Sequence, residues 1–256
     1  MPSFFKKLFK SKESKISDFS SIGFPVNSVD DLLQWGYKTN LAGSEIKVPA
    51  KGAYYQWTLQ SGAELWAQVD SNGQGMGLHP SFSGKSKVRV KAVPTIAHKG
   101  TVLDGVYRCW LITDDQEYPF VFEAPNFFQH ASSEKEVELI VQVTAFAKEL
   151  KYFPNKKAFD DDTEWKLADR SFIPSDVLKD STYNQDPQPH AAFNGYIKAV
   201  ELKTNEETGN KFYWFLVDTL SAEYDVVADP RLLKIVPEVG GLLGGSYYLS
   251  GKIIES

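Results

Sequence analysis

Between residues 46 and 122 the chain repeats one device: a short run rich in β-branched and aromatic residues, closed by a turn signal. The runs are 53–59, 64–69, 87–93, 106–112 and 120–122, and the punctuation falls at Ser61-Gly62, Asn72-Gly73, Lys99-Gly100 and Asp114-Asp115. Successive side chains of a strand point to opposite faces, and every strand edge carries backbone groups that need partners. Many short strands of this kind predict a mainly β protein, with an N-terminal antiparallel sandwich or distorted barrel. The 14% share of aromatic residues fits, because Phe, Tyr and Trp favour strands.

Other elements are fewer. Ser28 is placed as an N-cap ahead of Asp30, Asp31, Leu32, Leu33 and Trp35, with Gly36 as the expected stop of a short helix. Residues 137–150 alternate as a long strand with one drier face, although 145–151 also fit a helix. Asp161 and Glu164 have the spacing of a capping box, which predicts a helix over 165–169. Residues 181–190, rich in Pro, Asn, Asp and Gln, read as a linker. The expected organisation is a basic Ser-rich tail (1–21), a β-rich domain (22–180), that linker, and a smaller β-barrel (191–256).

In the last third, strands are expected at 193–203, 211–220, 223–228 and 246–254, with a break at Asp229-Pro230 and a short helix over 231–235. If Gly251 divides the final run, five strands result. Asn194-Gly195-Tyr196-Ile197 opens this segment, and Gly245-Ser246-Tyr247-Tyr248-Leu249-Ser250-Gly251-Lys252-Ile253 closes it. In these features it resembles the OB-fold, a five-stranded Greek-key barrel whose glycines let the ribbon coil tightly. The resemblance covers about a quarter of the chain. It implies a face for oligonucleotides or oligosaccharides, for which Tyr213, Phe215, Tyr224 and Tyr247 are the candidates. Charge opposes nucleic acid: residues 190–256 hold six Lys and Arg against nine Asp and Glu, a net of −3, within a chain of net charge −5. As a whole the chain looks like uncharacterised bacterial proteins.

No run approaches the ~18 apolar residues of a spanning helix. One cysteine, Cys109, excludes an intramolecular disulfide and fits a reducing, cytoplasmic setting. At the N-terminus Phe4, Phe5, Leu8 and Phe9 fall on one helical side and Lys6, Lys7 and Lys10 largely on the other. That pattern suits peripheral contact with an anionic membrane as well as a solvated terminus.

The search for chemistry returns little. Gly84-Lys85-Ser86 resembles the end of a phosphate loop, but His79 stands where that loop needs glycine, and a strand follows instead of a helix. Gly73, Gly75 and Gly77 read as a hairpin whose glycines would let a ligand approach the backbone. The histidines, His79, His98, His130 and His190, have no metal-binding spacing, and Asp160, Asp161 and Asp162 match no calcium loop. No metal and no cofactor is therefore expected. Glu64 and Glu123 are a possible acid and base pair across strands. Tyr54, Tyr55, Trp57, Trp66 and His79 form a candidate binding surface, with Tyr55 and Trp57 on one face and Tyr54 on the other. The expectation is a non-catalytic binding or protein-interaction protein. The alternatives are an enzyme built from distant segments around His79, Glu64 and Cys109, and a weak oligonucleotide or oligosaccharide binder.

Overall fold

The computed structural model describes residues 16–95, 103–112, 118–130, 135–162, 167–174 and 188–255. The protein is mainly β, as expected, with its strands in two sheets. The basic segment Phe4–Lys10 lies outside the described residues. Among the described residues no helix is long and apolar enough to cross a membrane.

The first sheet is an antiparallel meander of β1 (Ser44–Val48), β2 (Gly52–Thr58), β3 (Ala63–Asp70) and β4 (Gly75–Phe82). Its first turn needs Gly52, which has φ 141° and approaches β3 so closely that a Cβ would lie 1.9 Å from the Val69 carbonyl oxygen. Helix α1 (Val29–Ala42) covers one face. Ser28 Oγ accepts from the Asp31 N–H and the Asp31 carboxylate accepts from the Ser28 N–H, which satisfies two orphan donors at the helix start. Gly36 does not stop this helix. An interior glycine costs about 1 kcal/mol, and burial of Leu32 together with the edge-on packing of Trp35 on Phe24, 4.9 Å between centroids, offsets it. The helix ends at Gly43.

The second sheet holds β5 (Val88–Thr95), β6 (Val106–Leu111), β7 (Tyr118–Glu123), β8 (Val137–Phe153), β9 (Ser171–Pro174), β10 (His190–Thr204), β11 (Lys211–Asp218), β12 (Glu223–Ala228) and β13 (Leu242–Glu255). Its spine is an antiparallel ribbon of the two long strands β8 and β13, paired from Leu242 opposite Phe153 to Glu255 opposite Ile140. The free edge of β8 takes β5 and then β12, the latter in parallel. The free edge of β13 takes β10, and β7 in parallel. Because β5, β6 and β7 pair in series, as do β12, β11 and β10, each side closes into a ring of five strands that shares the ribbon. One apolar core runs through both rings, with Leu139, Val141, Val143, Ala145 and Ala147 of β8 facing it on alternate residues. Residues 137–150 are thus strand throughout.

The two rings repeat one pattern. Three paired strands, a helical turn and a long strand occur as β5-β6-β7, α2 (Phe127–His130), β8, and again as β10-β11-β12, the 3₁₀ turn Pro230–Leu232, β13. The long strand of each set also closes the ring of the other. Gly251 accordingly does not divide the last run, and the fifth strand of the C-terminal ring is β8. Strands on both sides of the 181–190 segment share this sheet, with β9 paired to β10. The short helix α3 (Lys156–Asp160) is N-capped by Asn155 and ends at Asp161, the residue expected to open a helix, and Trp165 lies outside the described residues.

Candidate functional site

The register of the first sheet sorts its residues onto two faces. Tyr54, Gln56 and Thr58 of β2 stand beside Gln68, Trp66 and Glu64 of β3, which stand beside Gly77, His79 and Ser81 of β4. Trp57, Leu65 and Leu78 share the opposite face and pack with Leu32 and Trp35 of α1. Tyr55 is on that side too, and its hydroxyl donates to Glu45 at the surface. Tyr54 and Trp66 join Val48 and Leu103 in a small buried cluster.

The polar face meets the second sheet, and ionisable groups from distant segments converge in the seam. His79 Nε2 lies 3.1 Å from Asp104 Oδ1, and Nδ1 lies 3.5 Å from Glu123 Oε2. The Tyr248 hydroxyl of β13 donates to the same Glu123 oxygen. Burial opposes charge on His79, but Glu123 and Asp104 outweigh it and hold its pKa well above the ordinary 6.5. Burial, with Glu123 beside it, keeps the Tyr248 phenol protonated. Two residues along β3, the buried Glu64 accepts from Lys252 Nζ of β13 at 3.0 Å, Thr58 Oγ1 at 2.9 Å and Gln56 Nε2 at 3.2 Å. Tyr54 adds a neutral tie: its hydroxyl donates to the Leu103 carbonyl and accepts from the Phe128 N–H.

Glu64, His79 and Cys109 do not form one site. Glu64 and His79 share a face but bond to different partners, and Cys109 points into the core of the second sheet, where burial pushes its thiol pKa up. Glu123 does reach the seam. Its partner there is His79, and Glu64 is held by Lys252. Asp104 was not singled out by the sequence, because a carboxylate in an Asp-Gly turn carries no distinguishing pattern.

Depressions among the described residues lie elsewhere. A groove of about 390 Å³ runs between Phe24–Asn27 and Lys211, Pro230 and Arg231, and one of about 50 Å³ lies beside Lys85 and Trp214. Neither is lined by His79, Glu64 or Glu123. Among the described residues no three His, Cys, Asp or Glu side chains are arranged to hold a metal ion. His98 lies outside those residues, His130 ends α2, and His190 packs edge-on against Tyr248.

The Gly84-Lys85-Ser86 segment does bind an anion, an internal one. Lys85 N and Ser86 N donate to the two carboxylate oxygens of Asp225 at 2.9 and 2.8 Å, and Trp214 Nε1 and Gln142 Nε2 donate to the same group. The aromatic candidates of the C-terminal ring face inward: Tyr213, Phe215, Tyr224 and Tyr247 belong to the core, with Tyr247 stacked on Phe193 at 3.9 Å. The outward-facing Phe212 and Trp214 are covered by Phe82 and lie in one cluster with Phe19 and Phe24.

Among the described residues, large apolar side chains remain exposed on α1 and, separately, around Ile235, Val236 and Val239. Leu33, Tyr37 and Leu41, four residues apart along α1, are 63%, 69% and 69% exposed on the side away from the sheet. Comparison with family models, curated proteins and solved structures finds no match to this chain.

Proposed function

We propose that this protein works by binding another protein and not by catalysis. The row Leu33, Tyr37 and Leu41 carries this reading, since a helix already anchored through Leu32 and Trp35 has no folding reason to present three large apolar side chains to water in one line. Tyr37 at the middle of the row is also of a type enriched among interface anchors. The seam at His79 supports the same reading from the other side. Its charged groups are partnered with one another between two sheets, away from either groove. A cytoplasmic setting accords with the lone, buried Cys109.

A photoreactive residue placed at Tyr37 tests the reading in the native host. It should give a discrete protein adduct that excess unlabelled chain competes away, whereas the same probe at Lys91 should not. Equal diffuse labelling at both positions would remove the basis for a binding face on α1.

A further inference from the structure

Resting on that reading of α1, we propose that the protein seated on it is a second copy of this chain, in a twofold dimer crossing at Tyr37. The row is its own complement. A twofold axis through Tyr37 sets residue i of one helix against residue 74 − i of the other, so Leu33 meets Leu41, Tyr37 meets Tyr37, and Leu41 meets Leu33. One exposed polar pair is also matched in kind: Gln34 meets Asn40, two amides that can donate and accept in both directions. Such self-complementarity is what an isologous interface requires.

The spacing also fixes the geometry. Residues 33, 37 and 41 form one ridge of the i±4 kind, and two such ridges interdigitate at a crossing angle of about −50°. The row from Leu33 to Leu41 is itself about two turns long. Charge does not oppose the arrangement, because Asp30 falls opposite Ser44 and Lys38 opposite Gly36, while Lys38 is already paired with Glu207. Three side chains per copy bury less than the ~1,600 Å² of a standard interface, so the dimer is weak and concentration-dependent.

Sedimentation of the full chain from about 1 µM to about 1 mM should show the weight-average mass rising from 28.7 kDa toward twice that value. Added salt should strengthen association, because the contact is apolar and each copy carries a net charge of −5. Leu33→Asp, at an outward position, should keep the circular dichroism spectrum and weaken association at least about tenfold. Tyr37→Cys should form a disulfide-linked dimer under mild oxidation, with buried Cys109 not competing. A constant mass of 28.7 kDa at every concentration overturns the proposal, as does a dimer unchanged by Leu33→Asp. A Tyr37 adduct with a different protein, from a chain that stays monomeric, overturns the second copy and leaves the binding role in place.

Discussion

Thr144 of β8 and Ser250 of β13 stand opposite one another, and each is also the point where its strand meets a third strand running parallel to it. Thr144 pairs with Asp225 of β12, and Ser250 pairs with Glu123 of β7. Two residues earlier on each long strand, Gln142 donates to Asp225 and Tyr248 donates to Glu123. One residue earlier, the Val143 N–H donates to Ser86 Oγ and the Leu249 N–H to the Pro189 carbonyl, just ahead of β5 and β10. The two rings are therefore related by an approximate twofold through this pair, and each carries one acidic residue at the same position. In one ring the acid fastens the loop that leads into β5 of the other ring, and in the other it fastens the first sheet through His79.

Asp225 should prove to be a principal stability determinant. It is fully buried and accepts from two backbone amides, an indole and a carboxamide. Asp225→Ala strands all four donors, and each buried donor left without a partner costs about 1–3 kcal/mol. A loss of at least about 3 kcal/mol is expected in urea unfolding, and a loss below 1 kcal/mol on that scale would show that the loop is held by something else.

Gly84→Ala tests the same contact from the opposite side. A Cβ at Gly84 would lie 2.1 to 2.4 Å from the carboxyl atoms of Asp225, so the loop or the acid has to move. Overpacking of this kind costs about 1–3 kcal/mol. Once Asp225 is Ala the obstruction is gone, so the penalty for Gly84→Ala should largely disappear in that background. Additive costs in the double-mutant cycle would contradict the close approach.

The fold class was legible because period-two alternation and turn residues are local signals, and so were the capped start of α1 and the strand character of 137–150. Ring closure was not. It depends on β8 and β13, about a hundred residues apart, each serving both rings, and the apolar sides of Val141 and Leu249 look the same whichever ring they fill. Gly36 misled because packing of Leu32 and Trp35 overrides a local propensity. The site shows the same division. Alternation placed Tyr54 and Tyr55 on opposite faces, but nothing local brings Asp104 and Glu123 to His79, and Lys85-Ser86 have an anion as their partner only because β12 delivers Asp225 from 140 residues away.

The His79 tie gives stability a pH dependence of definite sign. Because the folded-state pKa of His79 is raised above 6.5, its contribution is complete below that value and is lost as pH rises through the folded pKa. His79→Gln should therefore be most destabilising near pH 6, and the difference from the native chain should shrink with rising pH. Unfolding midpoints compared between about pH 5.5 and pH 9.5 stay below the ordinary tyrosine range and isolate the histidine. A difference that grows with pH would mean that His79 is neutral in the folded protein.

Cys109 should be inert in the native state. Its side chain is 1% exposed between Ala92 and Phe120 on neighbouring strands, and burial alone raises its pKa, so the reactive thiolate is disfavoured twice. Reaction with an aromatic disulfide reagent at pH 8 should be at least about a thousandfold slower than in urea, because it must wait for the core to open. Replacement separates packing from polarity. Cys109→Ala leaves a small void, whereas Cys109→Ser buries a hydroxyl among apolar side chains at a cost of about 1–3 kcal/mol, so serine should be the worse substitute. Rapid native labelling, or serine tolerated better than alanine, would place the thiol at a polar surface and return it to consideration as a nucleophile.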